Sequence, residues 1–314
     1  DMLLSTKVLS PGVYRFVVSD EFSGLRLDQY LAEASADLSR TLARRLIEIG
    51  GVHLSARRMR RCSEKVSTGD KIEVYVDALL LDPAPLSQER VIYRDQDLIV
   101  IDKPAGMPTQ PTPARYKGTV YAELQKLIAV TLRVGQRPSI GMVQRLDQDT
   151  SGVMVFSIHS RAHKRMTEQF LNHDIDKTYW ALIDGIPDAA EGKFSSQLAR
   201  RRSTNLVVSV AKGGKPAETR YRLLQSMNRV SMVEVDLVTG RTHQIRVHFS
   251  EAGMPLLGDQ AYDGPKCIGD VVIPRQMLHA RSLAFSHPVT GKKLHFTASL
   301  PEDFSSVLKS LQVA

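Results

Sequence analysis

The sequence predicts an α+β fold in two parts, and three observations carry that prediction. Short apolar stretches with strand-like alternation outnumber helical ones, and the two kinds do not follow each other in a regular βαβ order. That argues against a doubly wound sheet. The length of 314 residues suggests about two domains. Third, the positive charge is concentrated. The chain carries a formal +8, and its pI is near 9.5. Between positions 40 and 65, eight basic residues stand against two acidic ones, a net +6 in 26 residues.

Composition removes several classes. With 42% hydrophobic and 24% charged residues, the chain lies far from the disordered class. No run of 18 apolar residues occurs, so no segment reads as a transmembrane helix. The two cysteines, Cys62 and Cys267, form no CxxC pattern. They support neither a disulfide scaffold nor a cysteine zinc site, and they suit a reducing, cytoplasmic compartment. Neither a P-loop nor a G-x-G-x-x-G motif is present. The net charge asks for an anionic partner.

Residues 1–21 read as an N-terminal extension. Leu27, Tyr30, Leu31 and Ala34 then recur at helical spacing. Ser39 can cap a second helix with Leu42, Leu46 and Ile49 inside, and Gly50-Gly51 stops it. Arg40, Arg44 and Arg45 share the outer side of that helix, because residues three to five apart are neighbours there. Val52–Leu54 reads as a short strand. Arg57, Arg58, Arg60 and Arg61 fill the loop after it, and Ile72, Val74 and Val76 alternate as a further strand. Such a basic stripe can neutralise phosphates; its plain alternative is a solvated charged face. The stretch from Arg26 to Val76 resembles the small RNA-binding domain named after ribosomal protein S-four, and we bound that domain at 22–77. The resemblance implies binding to structured RNA.

Residues 78–90 carry two prolines and lose periodicity, as a linker would. The second domain is set at 91–304, with 305–314 as a C-terminal tail. Within it, 98–101, 152–157, 177–183, 217–224, 230–238, 278–285 and 294–298 read as strands. Ser160 can cap a helix with Ala162, Met166 and Phe170 inside, and 242–252 reads as a second helix.

Three polar stretches could carry chemistry. Gln144 to Gly152 places Asp147 on a loop entering a buried strand; a turn with Asx and Ser/Thr capping is the plain alternative. Gly240 to His248 opens a helix in which Arg246 emerges beside Ile245 and Phe249; an ordinary basic surface helix is its alternative. In Lys177 to Ala181, Tyr179 lies on a strand, where core packing is the simpler reading.

Taken together, IDKPAG at 101–106, RLDQDTSG at 145–152, KTYWA at 177–181, GKPAETRY at 214–221, TGRTHQIRVH at 239–248 and LLGDQAY at 256–262 resemble the RluA-type RNA pseudouridine synthases. An S-four-type domain is a common companion there. The resemblance implies a catalytic domain with a mixed, largely antiparallel bent sheet and an active cleft across it. It implies conversion of specific uridines to pseudouridine, by family habit in large-subunit ribosomal RNA, with no cofactor and no metal. Asp147 matches the essential aspartate, acting as nucleophile or base. Arg246 matches the arginine paired with it, which would favour the ionised carboxylate. Tyr179 matches the tyrosine that packs on the base and is a candidate general base. Arg145 would fill the space left by the flipped uridine, and Leu256 or Leu257 would line the apolar wall of the pocket. Gln144 departs from the histidine usual before that arginine, so no acid–base role is carried onto it. A monomer is expected. Two other readings compete: a non-catalytic RNA-binding factor on the same fold, and a glycosidase that pairs Asp147 with Asp149.

Overall fold

A computed structural model describes residues 9–133 and 136–313. The chain divides into two compact units. The first holds residues up to 86 together with 108–130, and the second holds 87–107 and 131 onwards.

The first unit contains β1 (Gly12–Val17), α1 (Leu27–Ala34), α2 (Arg40–Ile49), β2 (Val52–Leu54), β3 (Arg57–Arg58), β4 (Lys71–Val76) and α3 (Val120–Ala129). Its sheet runs in the order β1-β4-β2-β3, all antiparallel. Leu27, Leu31, Ala43, Leu46 and Ile47 from the helices pack on Val52, Ile72 and Val74 from the sheet. As expected, the Ser39 hydroxyl accepts from the Leu42 amide, and Gly50 closes α2 in the left-handed region at φ 94°.

Three expected boundaries need correction. Residues 1–21 are not simply an extension, because 12–17 pair along the whole of β4 and Val18 is buried in the unit's core. Residues 78–86 of the expected linker are fastened to the unit. Asp82 pairs with Arg45, the Leu80 carbonyl accepts from Arg115, and Leu86 is buried. Residues 108–130 also belong here rather than to the second unit. Arg115, almost wholly buried, makes two 2.6 Å bonds to Asp77, and the Tyr116 amide donates to the Ile49 carbonyl. Long-range polar contacts of this kind leave no local pattern in a sequence.

The second unit contains β5 (Val91–Arg94), β6 (Leu98–Lys103), β7 (Gly141–Met142), β8 (Ser151–Ser157), α4 (Ser160–Leu171), β9 (Asp176–Asp184), β10 (Glu191–Arg200), β11 (Val207–Val210), β12 (Lys215–Met227), β13 (Val230–Leu237), α5 (Gln244–Glu251), β14 (Cys267–Ile268), β15 (Val271–Val272), β16 (Leu278–Ser286), β17 (Lys293–Thr297) and α6 (Glu302–Val313). Eleven strands form one mixed sheet, β11-β10-β12-β13-β9-β16-β8-β6-β5, with β17 on β16 and β7 on β8. Its one parallel pairing joins β16 to β8 through His279–Ser151 and Ala280–Gly152. Gly152 is required there: it sits at φ 118°, and a Cβ would lie 2.2 Å from the Ala280 carbonyl oxygen.

Two further details differ from expectation. The cap of α4 is His159, whose Nδ1 accepts from the Arg161 amide, and Ser160 is already helical. Residues 305–313 are not a loose tail but the body of α6, which buries Phe304, Val307 and Leu311 against Leu182, Leu257 and Met277. No helix among the described residues is long and apolar enough to cross a membrane.

Candidate active site

Asp147 sits on the loop just before β8, and that loop is fixed from beneath. Lys103, at the end of β6 and fully buried, donates 2.8 Å bonds to the carbonyls of Pro104, Gln148 and Thr150. Burial pushes the Lys103 ammonium down, to about 7. Three carbonyl acceptors still require all three of its protons, so the cradle forms around the charged group. Arg275 donates to the Asp149 carbonyl at 2.9 Å, and Gln276 donates to the Thr150 hydroxyl at 2.9 Å. The carboxylate therefore projects from a loop held at three of its carbonyls and one hydroxyl.

Arg246 comes from α5, whose first six residues are all buried. That excludes an ordinary surface helix. The loop before α5 is locked by Gln244, whose side-chain oxygen accepts from the Thr239 hydroxyl and the Arg241 amide, while its nitrogen donates to the Glu218 carbonyl and the Thr219 hydroxyl. Helical residues begin at 244 rather than 242, because His243 adopts the left-handed region at φ 54°. Arg246 Nη1 donates to Asp147 Oδ2 at 2.8 Å, while Nε and Nη2 donate to Asp259 at 2.6 and 2.8 Å. Burial alone would lower the guanidinium's pKa; Asp259 first and Asp147 second outweigh it and raise it, so the charge is secure.

Tyr179, on β9, lines the same cleft and is buried. Burial pushes its phenol up, and the Asp147 charge adds to that. The hydroxyl therefore keeps its proton at neutral pH and is poorly suited to act alone as a general base. His243 completes the group. The Tyr262 hydroxyl accepts from the Val207 amide at 3.0 Å and stands 2.8 Å from His243 Nδ1. With Tyr262 as the donor to Nδ1, the ring proton lies on Nε2, which is 3.8 Å from Asp147 Oδ1. Burial lowers the pKa of His243, in keeping with a neutral ring.

The cleft has a volume of about 420 Å³ and brings together Gln144, Arg145, Asp147, Lys177, Tyr179, Arg241 and Arg246. Arg145 is exposed at this cleft. Leu256 and Leu257 do not line it, contrary to expectation. The Leu257 amide pairs with the Leu182 carbonyl and Leu256 bridges to Ile183, so both side chains are wholly buried beneath the sheet. Leu146, Phe170, Leu237 and Leu278 form the apolar wall instead. Asp259, Tyr262, His243 and Lys103 were missed as site residues, although each lies inside a motif already singled out. Asp149 offers no second reacting carboxylate beside Asp147 in this cleft, since it does not line it.

In the first unit the basic residues differ in use. Arg58 is turned inward and donates to the carbonyls of Gly50 and Thr112. Arg40 pairs with Asp28, Arg45 with Asp82 and Arg57 with Glu64, and Arg60 lies over the Tyr116 ring at 3.7 Å. Arg44 and Arg61 are exposed and form no ion pair among the described residues. One set of metal-type ligands, Asp95, Asp97 and His287, lies elsewhere in the second unit. It is already an ion-pair network: Asp97 gives both oxygens to Arg161, and His287 Nε2 meets Asp95 at 2.9 Å.

The family described as RNA pseudouridylate synthase matches residues 97–251. An uncharacterized RNA pseudouridine synthase of Synechocystis is 36% identical, covering 94% of this chain and 91% of the relative. A protein named ribosomal large subunit pseudouridine synthase D, from Zymomonas mobilis, is 34% identical, covering 95% of this chain and 97% of its own. Among solved structures, human RNA pseudouridylate synthase domain containing 4 aligns with a TM-score of 0.60 at 25% identity, over 71% of this chain and 93% of that one. The fold and these relatives are those of RNA-modifying isomerases. The chain belongs to the RNA pseudouridine synthase family.

Proposed function

We propose that this protein converts specific uridines of large-subunit ribosomal RNA to pseudouridine. The observation that carries the reading is the 2.8 Å pair between Asp147 and Arg246, in an open cleft also lined by Tyr179. In the net reaction, the bond from the ring nitrogen to the anomeric carbon breaks, and carbon 5 of the ring bonds to that carbon. The proton lost from carbon 5 is balanced by one gained at nitrogen. Nothing is oxidised or reduced, so the exchange asks for no redox cofactor.

Each residue has a part. Asp147 supplies the carboxylate that starts the exchange, as nucleophile or as base. Arg246 holds it in place without removing its charge, because that guanidinium already serves Asp259. Tyr179 packs on the uracil ring. The target base must leave its stack at a cost of a few kcal/mol, and Arg145 is placed to fill the vacated space. The first unit, which contains the S-four-type module, supplies RNA affinity through Arg44 and Arg61 first, with Arg40, Arg45, Arg57 and Arg60 available by exchange of partners. The reading places a monomer in the cytoplasm, where ribosomal RNA is made and two free thiols stay reduced.

The test maps pseudouridine across cellular RNA with and without the protein. One or more large-subunit uridines should lose the modification in its absence. Asp147→Asn should fail to restore it while still binding RNA. Restoration by Asp147→Asn would refute the reading.

A further inference from the structure

We propose that the cleft contains a phosphate subsite built on Lys177, which holds a backbone phosphate of the strand that presents the target uridine. The inference rests on the reading of the cleft as an RNA site and adds a second anchor to it.

Lys177 and Tyr179 lie two residues apart on β9 and face the same side, about 7 Å apart along the strand. Both line the cleft. Lys177 is only 9% exposed, yet it makes no hydrogen bond and no ion pair among the described residues. The ammonium end is not sealed off from the cleft, so it keeps its charge without an internal partner and is open to an incoming anion. The alternative partner inside the protein is already committed: Asp147 faces Arg246 and His243.

The surroundings point the same way. Arg241 and His173 line the same cleft. Arg241 is held by Nε on the Pro216 carbonyl at 3.0 Å, and its other side-chain N–H groups make no hydrogen bond among the described residues. Burial, then the Arg241 charge, lower the pKa of Lys177; burial first, then Lys177 and Arg241, lower that of His173. These groups therefore share one field of a single sign. Gly240 lies against Lys177, where a Cβ would stand 3.5 Å from the ammonium nitrogen, so a larger side chain there would crowd the lysine. Thus the cleft has a carboxylate end at Asp147 and a cationic end at Lys177, with the Tyr179 ring beside both. A nucleotide offers a flat ring and an anion in that order. Lysine binds phosphate as a point charge and needs no fixed fork of donors.

Calorimetric titration of the full-length protein tests this with four probes: uridine, uridine 5′-monophosphate, uridine 3′-monophosphate and inorganic phosphate. One of the two nucleotides should bind roughly tenfold or more tightly than uridine, as a charge-assisted contact implies. Lys177→Gln should abolish that advantage and leave the uridine affinity in place. Arg241→Gln, at a less buried position, should reduce it in part; this variant decides the matter if Lys177→Gln melts early. No phosphate advantage in the wild type would overturn the proposal. So would an advantage unchanged in the folded variants, or inorganic phosphate binding as tightly as the nucleotides, which would mark a free-anion site. Pseudouridine formation on unmodified large-subunit RNA, measured alongside, reports on the function itself, so the two can fail separately.

Discussion

Arg246 gives two of its hydrogen bonds to Asp259 and only one to Asp147. Asp259 is 1% exposed at its side chain, against 26% for Asp147. The buried aspartate thus orients the guanidinium, and the more open one is left with charge to react. Under the proposed function, that open side is where Asp147 would meet the uridine as nucleophile or base.

Replacing Asp259 should therefore act through Arg246. Asp259→Asn keeps the shape but removes the charge that fixes the guanidinium. We expect RNA affinity within a few-fold of normal and turnover reduced roughly 100-fold, the scale of an ångström-sized misplacement. Asp259→Ala should also destabilise the fold by about 3–5 kcal/mol, because a buried cation loses its partner. Single-turnover kinetics beside a denaturant titration separate the two effects. Normal turnover in Asp259→Asn would rule out the orienting role.

Lys103 should be indispensable to the loop without touching substrate. Lys103→Met removes three donors from three carbonyls, at about 1–3 kcal/mol for each group left unsatisfied. The loop bearing Asp147 should loosen. The expected signature is a fall in kcat larger than any rise in KM, with a lower Tm. Unaltered kcat in a folded Lys103→Met protein would contradict the cradle.

Tyr179 separates packing from proton transfer. Its phenol is pushed up by burial and by Asp147. Tyr179→Phe, which keeps the ring, should retain more turnover than Tyr179→Ala, which empties the wall beside the base. If both variants were equally inactive, the hydroxyl would be chemically essential and the packing role insufficient.

Much of this was legible in the sequence. Asp147, Tyr179 and Arg246 were named from motifs, and they do share one cleft. Helices α1 and α2 announced themselves by apolar spacing and by the Ser39 cap. Strand β10 did not: its burial alternates, but the less exposed side carries Gly192, Phe194, Ser196 and Leu198, and two large apolar residues in four make too weak a pattern. Asp259 stayed hidden for a different reason: an acidic residue in a Gly-Asp turn looks like surface, and only the return of the chain over α5 buries it against Arg246. Leu256 and Leu257 misled in the opposite sense. Hydrophobicity shows that they are buried but not on which side of the sheet.

Acid should weaken the second unit through His279. Its Nε2 donates to the Ala298 carbonyl at 3.2 Å and its Nδ1 accepts from the Ser151 hydroxyl at 2.9 Å, with no exposure. Burial pushes it down to about 4. A free histidine titrates near 6.5, so between those values the unfolded chain binds the extra proton. Stability is then full above about pH 6.5 and falls as pH drops toward 4, by about 3 kcal/mol in all. Urea unfolding across that range should show the slope, and His279→Gln should flatten it. An identical slope in the variant would assign the loss to other groups.

The arginines of the first unit should fall into two kinds. Arg44 and Arg61 are exposed and unpaired by carboxylates among the described residues, so they are free to meet phosphate. Each Arg→Ala change there should lower the slope of log affinity against log salt by roughly 0.7–0.9 and leave Tm nearly unchanged. Arg58 differs, because its guanidinium already bonds the Gly50 and Thr112 carbonyls. Arg58→Ala should lower Tm and change the salt slope little. Binding to an unmodified large-subunit RNA transcript, measured from low to moderate salt, distinguishes the kinds. A full loss of slope in Arg58→Ala with an unchanged Tm would show that this side chain leaves its carbonyls for RNA. The basic stretch would then act as one surface rather than as a structural residue flanked by binding ones.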